Sequence, residues 1–209
     1  MNASLLFLQC ISLVFTGFYK DCASALKDND NKPNTYMIKP LDLQVAYNIS
    51  CKMENHVAWT IFSHDRETDS MVEQLYGPSA IKVFKLAYNV SLATIAAFVD
   101  RAASCRQYTY ARCLGTAFVF RGFCWLSDRN NNKMTFWGGG PTGGRGCECG
   151  ITNSCVSPTF GCNCDANDNQ FRSDQGYITS RDHLPITSIT LGALQQIYYR
   201  IGKLECRNN

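Results

Sequence analysis

Cysteine is the residue best able to do chemistry in this sequence, with 12 among 209 residues. Six of them crowd the C-terminal third as Cys147-x-Cys149, Cys155, Cys162-x-Cys164 and Cys206. Thiolates gathered in a loop are the ligands of a tetrahedral zinc site. Zinc loops usually leave two residues between paired cysteines and belong to reducing compartments, and here the gap is a single residue. Disulfide formation fits the density better, because disulfides persist only where the surroundings are oxidising. Three bridges among these six are the expectation, and the sequence does not choose their pairing.

Oxygen ligands concentrate in Asp165, Asn167, Asp168 and Asp174, with Asp182 further on. That is the donor chemistry of Ca²⁺, although no glycine at the sixth place and no glutamate at the twelfth frame an EF-hand. A calcium loop and a solvated turn are the two readings of the segment. The histidines are His56, His64 and His183. Imidazole is the commonest general base at neutral pH, yet none of the three adjoins a nucleophile motif, so the chain does not read as an enzyme. The glycines between Gly138 and Gly150 lack a preceding strand and a Gly-Lys-Ser/Thr, which argues against a phosphate loop and for tight turns between staples.

The elements that carry these residues begin with an apolar run, Leu5 to Phe18, that ends at Tyr19-Lys20-Asp21. Residues 1–18 read as a secretory signal peptide, too short in its apolar part to span a bilayer, with a buried helix or signal anchor as the alternative. Residues 19–209 then form one domain. Ala23-Ser24-Ala25 also resembles a signal-peptidase site, and cleavage there would remove Cys22. Asn48-Ile49-Ser50 and Asn89-Val90-Ser91 are N-glycosylation sequons.

Strands are expected at residues 35–40, 57–62, 116–125, 186–191 and 197–201, where β-branched and aromatic residues cluster. Leu92, Ile95, Ala96 and Val99 recur at helical spacing, so residues 91–103 form a helix with Ser91 as N-cap. The net charge of +3 arises from 20 basic and 17 acidic residues with no basic run of five, which argues against a nucleic-acid partner.

The order Cys22, Tyr36-x-Ile38-x-Pro40, Cys51-Lys52-Met53, Trp59-Thr60 resembles the opening of fibrinogen-related domains. The C-terminal motifs are more specific: Met134-Thr135-Phe136-Trp137-Gly138-Gly139, Cys147-Glu148-Cys149-Gly150, Cys155, Cys162-Asn163-Cys164-Asp165-Ala166, Gly176, Asp182-His183-Leu184-Pro185, and Arg200-Ile201-Gly202 before Cys206. This order resembles the fibrinogen-like module of contactin-associated proteins, which are neurexin-related adhesion receptors. The other modules of such receptors do not fit in 209 residues, so the chain reads as a free-standing secreted relative or a partial gene model.

The resemblance implies an α+β, fibrinogen C-terminal-like fold. Its parts are a small N-terminal β subdomain, a central mixed sheet flanked by the helix, and a disulfide-stapled, loop-rich C-terminal part. It implies an extracellular glycoprotein for recognition or cell adhesion, bearing glycans at Asn48 and Asn89 and binding a protein or glycan partner. A soluble fibrinogen-related lectin of innate defence and a structural matrix component are the alternatives.

Proximity and the resemblance pair Cys22 with Cys51 and Cys105 with Cys113. With Cys10 in the signal, one cysteine is left over. Cys124 is the candidate free thiol, because it lies in the apolar run from Phe118 to Leu126 where the resembling module has none. The Asp-rich calcium loop and adjoining ligand pocket of fibrinogen itself are not matched, so polymerisation knobs and acetylated sugars are not carried over as ligands. Phe136, Trp137 and Phe160 are candidates either for exposed contacts or for core.

Overall fold

A computed structural model describes residues 17–40, 45–77 and 80–208. Cys10 and all of the expected signal peptide up to residue 16 lie outside the described residues.

The chain enters through α1 (Cys22–Asp28), whose N-cap Asp21 accepts a hydrogen bond from the Ser24 amide at 2.8 Å. This helix contains Ala23-Ser24-Ala25 and buries Cys22, Ala25 and Leu26. Three strands follow, β1 (Asn34–Ile38), β2 (Tyr47–Glu54) and β3 (Val57–Phe62), then β4 (Ser70–Leu75) and β5 (Ile81–Lys85). The expected helix is α2 (Leu92–Arg101), and the Ser91 side chain accepts from the Thr94 amide at 3.2 Å. Its stripe of Ile95, Phe98 and Val99 is buried, with the Phe98 ring 5.2 Å from that of Phe62.

The two longest strands are β6 (Ser104–Thr116) and β10 (Leu194–Arg207), and they pair antiparallel along most of their length. Together with β8 (Arg172–Ile178) they form a sheet in the order β1-β2-β3-β10-β6-β8, with β4 also paired to β10. A smaller sheet joins β5, β9 (Ser188–Gly192) and β7 (Trp125–Ser127). A four-residue helix, α3 (Glu148–Ile151), lies in the stapled region.

Three expectations are corrected here. The N-terminal hairpin is not a separate subdomain, because β3 pairs with β10 and makes the hairpin continuous with the main sheet. The sheet is not mixed, since every pairing between these strands is antiparallel. Residues 116–125 are not a strand either. The Gly122 amide donates to the carbonyls of Phe118 and Val119, and the left-handed φ of 77° at Gly122 folds the run into a turn. That turn delivers Phe118, Cys124 and Leu126 to the core at 0% exposure.

Candidate functional site

The cysteines set the frame of the C-terminal region. Among the described residues five disulfides join Cys22 to Cys51, Cys105 to Cys206, Cys113 to Cys164, Cys147 to Cys162 and Cys149 to Cys155. One expected pairing changes, and with it the three bridges expected within the C-terminal six. Cys105 and Cys113 stand on one face of the same strand, where eight residues of extended chain span about 27 Å, so they cannot bond. Instead Cys105 lies opposite Cys206 across the β6–β10 pairing, with Cα atoms 4.1 Å apart. Cys113 reaches Cys164, so only two of the three expected bridges close within the C-terminal six.

Cys124 is a buried free thiol whose Sγ lies 3.5 Å from the Gly192 carbonyl oxygen. Burial pushes the thiol up to about 12, which makes it inert as a nucleophile at neutral pH.

Of the residues expected to bind calcium, Asp165, Asp168 and Asp174 have hydrogen-bond or ion-pair partners within the protein. Asp174 is 3% exposed and accepts from the amides of Asn163 at 3.0 Å and Cys164 at 2.8 Å. Asp165 is fully buried and accepts from the Phe120 amide at 2.8 Å. Asp168 is exposed and pairs with Arg172 at 2.5 Å. Asn167 follows as an exposed residue with left-handed backbone.

Burial raises both Asp165 and Asp174, the latter to about 6. Among the described residues the one close group of three ligand-type side chains is Cys147, Cys162 and Asp174. Its two sulfurs are consumed by their own disulfide, so it offers no thiolate to a metal.

The histidines have structural partners. His64 is buried, accepts at Nδ1 from the Arg66 amide, and lies 3.0 Å from the Gly202 carbonyl through Nε2. Burial lowers its pKa and keeps the ring neutral. His183 meets the Ser180 hydroxyl at 2.8 Å, and His56 is exposed in the β2–β3 turn. Phe136 and Trp137 are core, at 3% and 0% exposure, and Trp137 packs on Phe118. Phe160 is partly exposed against Phe120, and both sequon asparagines, Asn48 and Asn89, are exposed.

Gly138 shows what the glycines do. A Cβ there would sit 2.2 Å from the Gly176 carbonyl oxygen, so the 138–139 turn lies directly on β8, where the Gly139 amide donates to Tyr177. Beside it open two adjoining hollows of about 300 and 470 Å³ that share Glu148 and Gln175, the smaller one mostly polar. Tyr108, Tyr177 and Thr179 line the larger one, and Thr152, Ser154, Asn163 and Ser173 the smaller.

The feature that motif reading missed is the outer face of the main sheet. Residues alternate strictly along β6, with Cys105, Gln107, Thr109, Ala111 and Cys113 inward and Arg106, Tyr108, Tyr110 and Arg112 outward. The inward Gln107 is held by Tyr88, Gly202 and Ile186, so a buried amide in the core is fully bonded.

Outside, the Arg106 guanidinium stacks 4.1 Å from the Trp59 ring and 5.0 Å from Tyr177. Arg106 and Lys52 are neutralised by Glu205, at 2.7 and 2.6 Å, and by Glu54. Arg112 lies 4.4 Å from Phe171, and Arg200 lies 5.8 Å from Tyr108 and from Tyr110. The signal that could have revealed this face is the period-two pattern of Ser104–Thr116.

Fold and bridges define a mostly β domain with few helices, crosslinked in the manner of domains from oxidising compartments. No helix among the described residues is long and apolar enough to cross a membrane. The chain is 32% identical over 187 residues to Contactin-associated protein 1 of Rattus norvegicus and over 190 residues to that of Homo sapiens, covering 83% and 85% of this chain. It is 29% identical over 164 residues, or 72% of its length, to Neurexin-4 of Drosophila melanogaster. The chain spans 13% of the length of these relatives. No protein-family model matches it.

Proposed function

We propose that this chain is a secreted extracellular module of recognition and cell adhesion, fibrinogen C-terminal-like in fold, that binds a protein partner and performs no catalysis. The signal peptide is residues 1–18 and the domain residues 19–209, with glycans at Asn48 and Asn89. The observation that carries the reading is similarity across 83% of the chain to Contactin-associated protein 1, a protein whose name states an association with contactin. Two structural features support it. The bridges hold loops and sheet as one scaffold, and a scaffold ordered beforehand loses less entropy on binding. The outer sheet face presents Tyr and Arg, residue types enriched among interface hot spots.

The test is binding of the secreted, glycosylated domain to cells displaying a contactin ectodomain and to mock-transfected cells, read by flow cytometry. Saturable binding to the displaying cells is expected. Equal staining of both populations contradicts contactin as the partner class, and no staining of any cell contradicts recognition. A lectin is the second reading, favoured by the polar hollow beside Glu148 and Gln175. A glycan array distinguishes it, since the protein-binding reading expects no saccharide hit.

A further inference from the structure

The outer sheet face divides by charge. At the β2–β3 end Lys52 and Arg106 are matched by Glu54 and Glu205. At the other end stand Arg112 and Arg200, and the compensation is poor. Among the described residues the one carboxylate that Arg200 meets is Asp69, at 3.6 Å with the side chains 41% and 58% exposed, a geometry that contributes little. Arg112 is exposed and has no carboxylate partner among the described residues. Its contacts are ring contacts, to Phe171 at 4.4 Å and Tyr198 at 6.0 Å.

The two arginines are diagonal neighbours, because Arg112 lies opposite Tyr198 and Arg200 opposite Tyr110. Diagonal Cβ atoms on paired strands are about 7 Å apart, so one carboxylate placed between them is within reach of both guanidinium groups. A guanidinium stacked on a ring keeps its N–H fork in plane, and that fork matches a carboxylate in bidentate fashion. Phe171, 40% exposed, lies beside Arg112 with apolar surface that a partner would cover.

We infer that this end of the face docks a protein surface that places an Asp or Glu between Arg112 and Arg200 amid apolar contacts. The inference rests on the recognition reading above and names the chemistry of the partner. A sulfated glycosaminoglycan fits less well, because Glu73, Asp69, Glu54 and Glu205 share the face with the arginines, and a polyanion would meet them too. A discrete carboxylate avoids them.

The test compares the wild-type domain, the double variant Arg112→Glu/Arg200→Glu and the variant Arg112→Lys/Arg200→Lys on the contactin-displaying cells, before and after heparin lyase. Arg112 is exposed and Arg200 half-buried on the outer face, so near-wild-type melting temperatures should verify that the variants fold. The inference expects at least roughly a tenfold weaker binding for the charge reversal, the loss of a charged pair at an interface. It also expects a smaller loss for the lysine variant and no effect of the lyase. Wild-type binding unchanged by charge reversal overturns the inference and leaves the recognition reading standing. Binding abolished by heparin lyase overturns it in favour of a glycosaminoglycan. No wild-type binding to any cell overturns the recognition reading itself.

Discussion

Replacing Cys105 and Cys206 together by alanine removes the bridge that ties the start of β6 to the end of β10. The two residues are 101 positions apart, and closing so long a loop in the unfolded chain stabilises the fold by about 4.7 kcal/mol when no other crosslink exists. The other bridges shorten the path. With Cys113 bonded to Cys164, the loop runs from Cys105 to Cys113 and from Cys164 to Cys206, about 50 residues, for which the same relation gives about 4 kcal/mol.

Cys149 and Cys155 are only 6 apart, and their removal costs about 2 kcal/mol. For a domain of this size each kcal/mol moves the melting temperature by roughly 2–4 °C. Scanning calorimetry of the two double-alanine variants should therefore show losses of roughly 8–16 °C and 4–8 °C. A larger loss for the short bridge, or a tryptic map that bonds Cys105 to Cys113, would refute the reasoning.

Alkylation of the native domain should modify no thiol, and denaturation in 6 M guanidinium without reductant should expose one thiol per chain, at Cys124, by peptide mass mapping. Gly138→Ala places a methyl against the Gly176 carbonyl and should cost about 3 kcal/mol or more by urea denaturation; a smaller effect than about 1 kcal/mol contradicts the close approach of that turn to β8. Asp174 has its folded pKa raised to about 6 by burial, so the folded state holds its proton more tightly than the unfolded state. Its contribution to stability is complete below about pH 4 and is lost, to about 3 kcal/mol, as the pH rises through 6. His64, lowered by burial, acts with the opposite sign in part of that window, so the difference between wild type and Asp174→Asn in urea melts from pH 4 to 7.5 isolates the aspartate. Adding EDTA should leave the melting temperature within about 1 °C, because Asp165, Asp168 and Asp174 are engaged by Phe120, Arg172 and the Asn163–Cys164 amides.

Local signals of the sequence located the helix and several strands well. Ser91 caps α2 as its side-chain chemistry predicts, and the β-prone runs around Tyr36 and Trp59 are β1 and β3. Non-local facts were not legible. Cys105 and Cys113 look adjacent in sequence, but extended backbone separates them, and only the β6–β10 register reveals Cys206 as the partner. The apolar run from Phe118 to Leu126 reads as a strand, but glycine at 122 turns it back on itself.

For the candidate site, the motif residues identified the stapled region and not the exposed sheet face. Phe136 and Trp137 stand out as aromatic, yet they are core. Arg112 lies in no motif and Arg200 stands in Arg200-Ile201-Gly202 with nothing to link it to Arg112, because only the β6–β10 pairing brings the two together. The carboxylates of Asp165 and Asp174 suit calcium by composition, and it is the fold that brings the amides of Asn163 and Cys164 to Asp174 and the Phe120 amide to Asp165 Oδ2.

The most direct test of the account is the equilibrium affinity of the oxidised, secreted domain for an immobilised contactin ectodomain, measured by biolayer interferometry beside a reduced and alkylated sample. The account predicts saturable binding with Kd about 1 µM or tighter, corresponding to about −8 kcal/mol, that disappears when the bridges are opened. No saturable binding by the oxidised domain, or equal binding by the reduced chain, would contradict it.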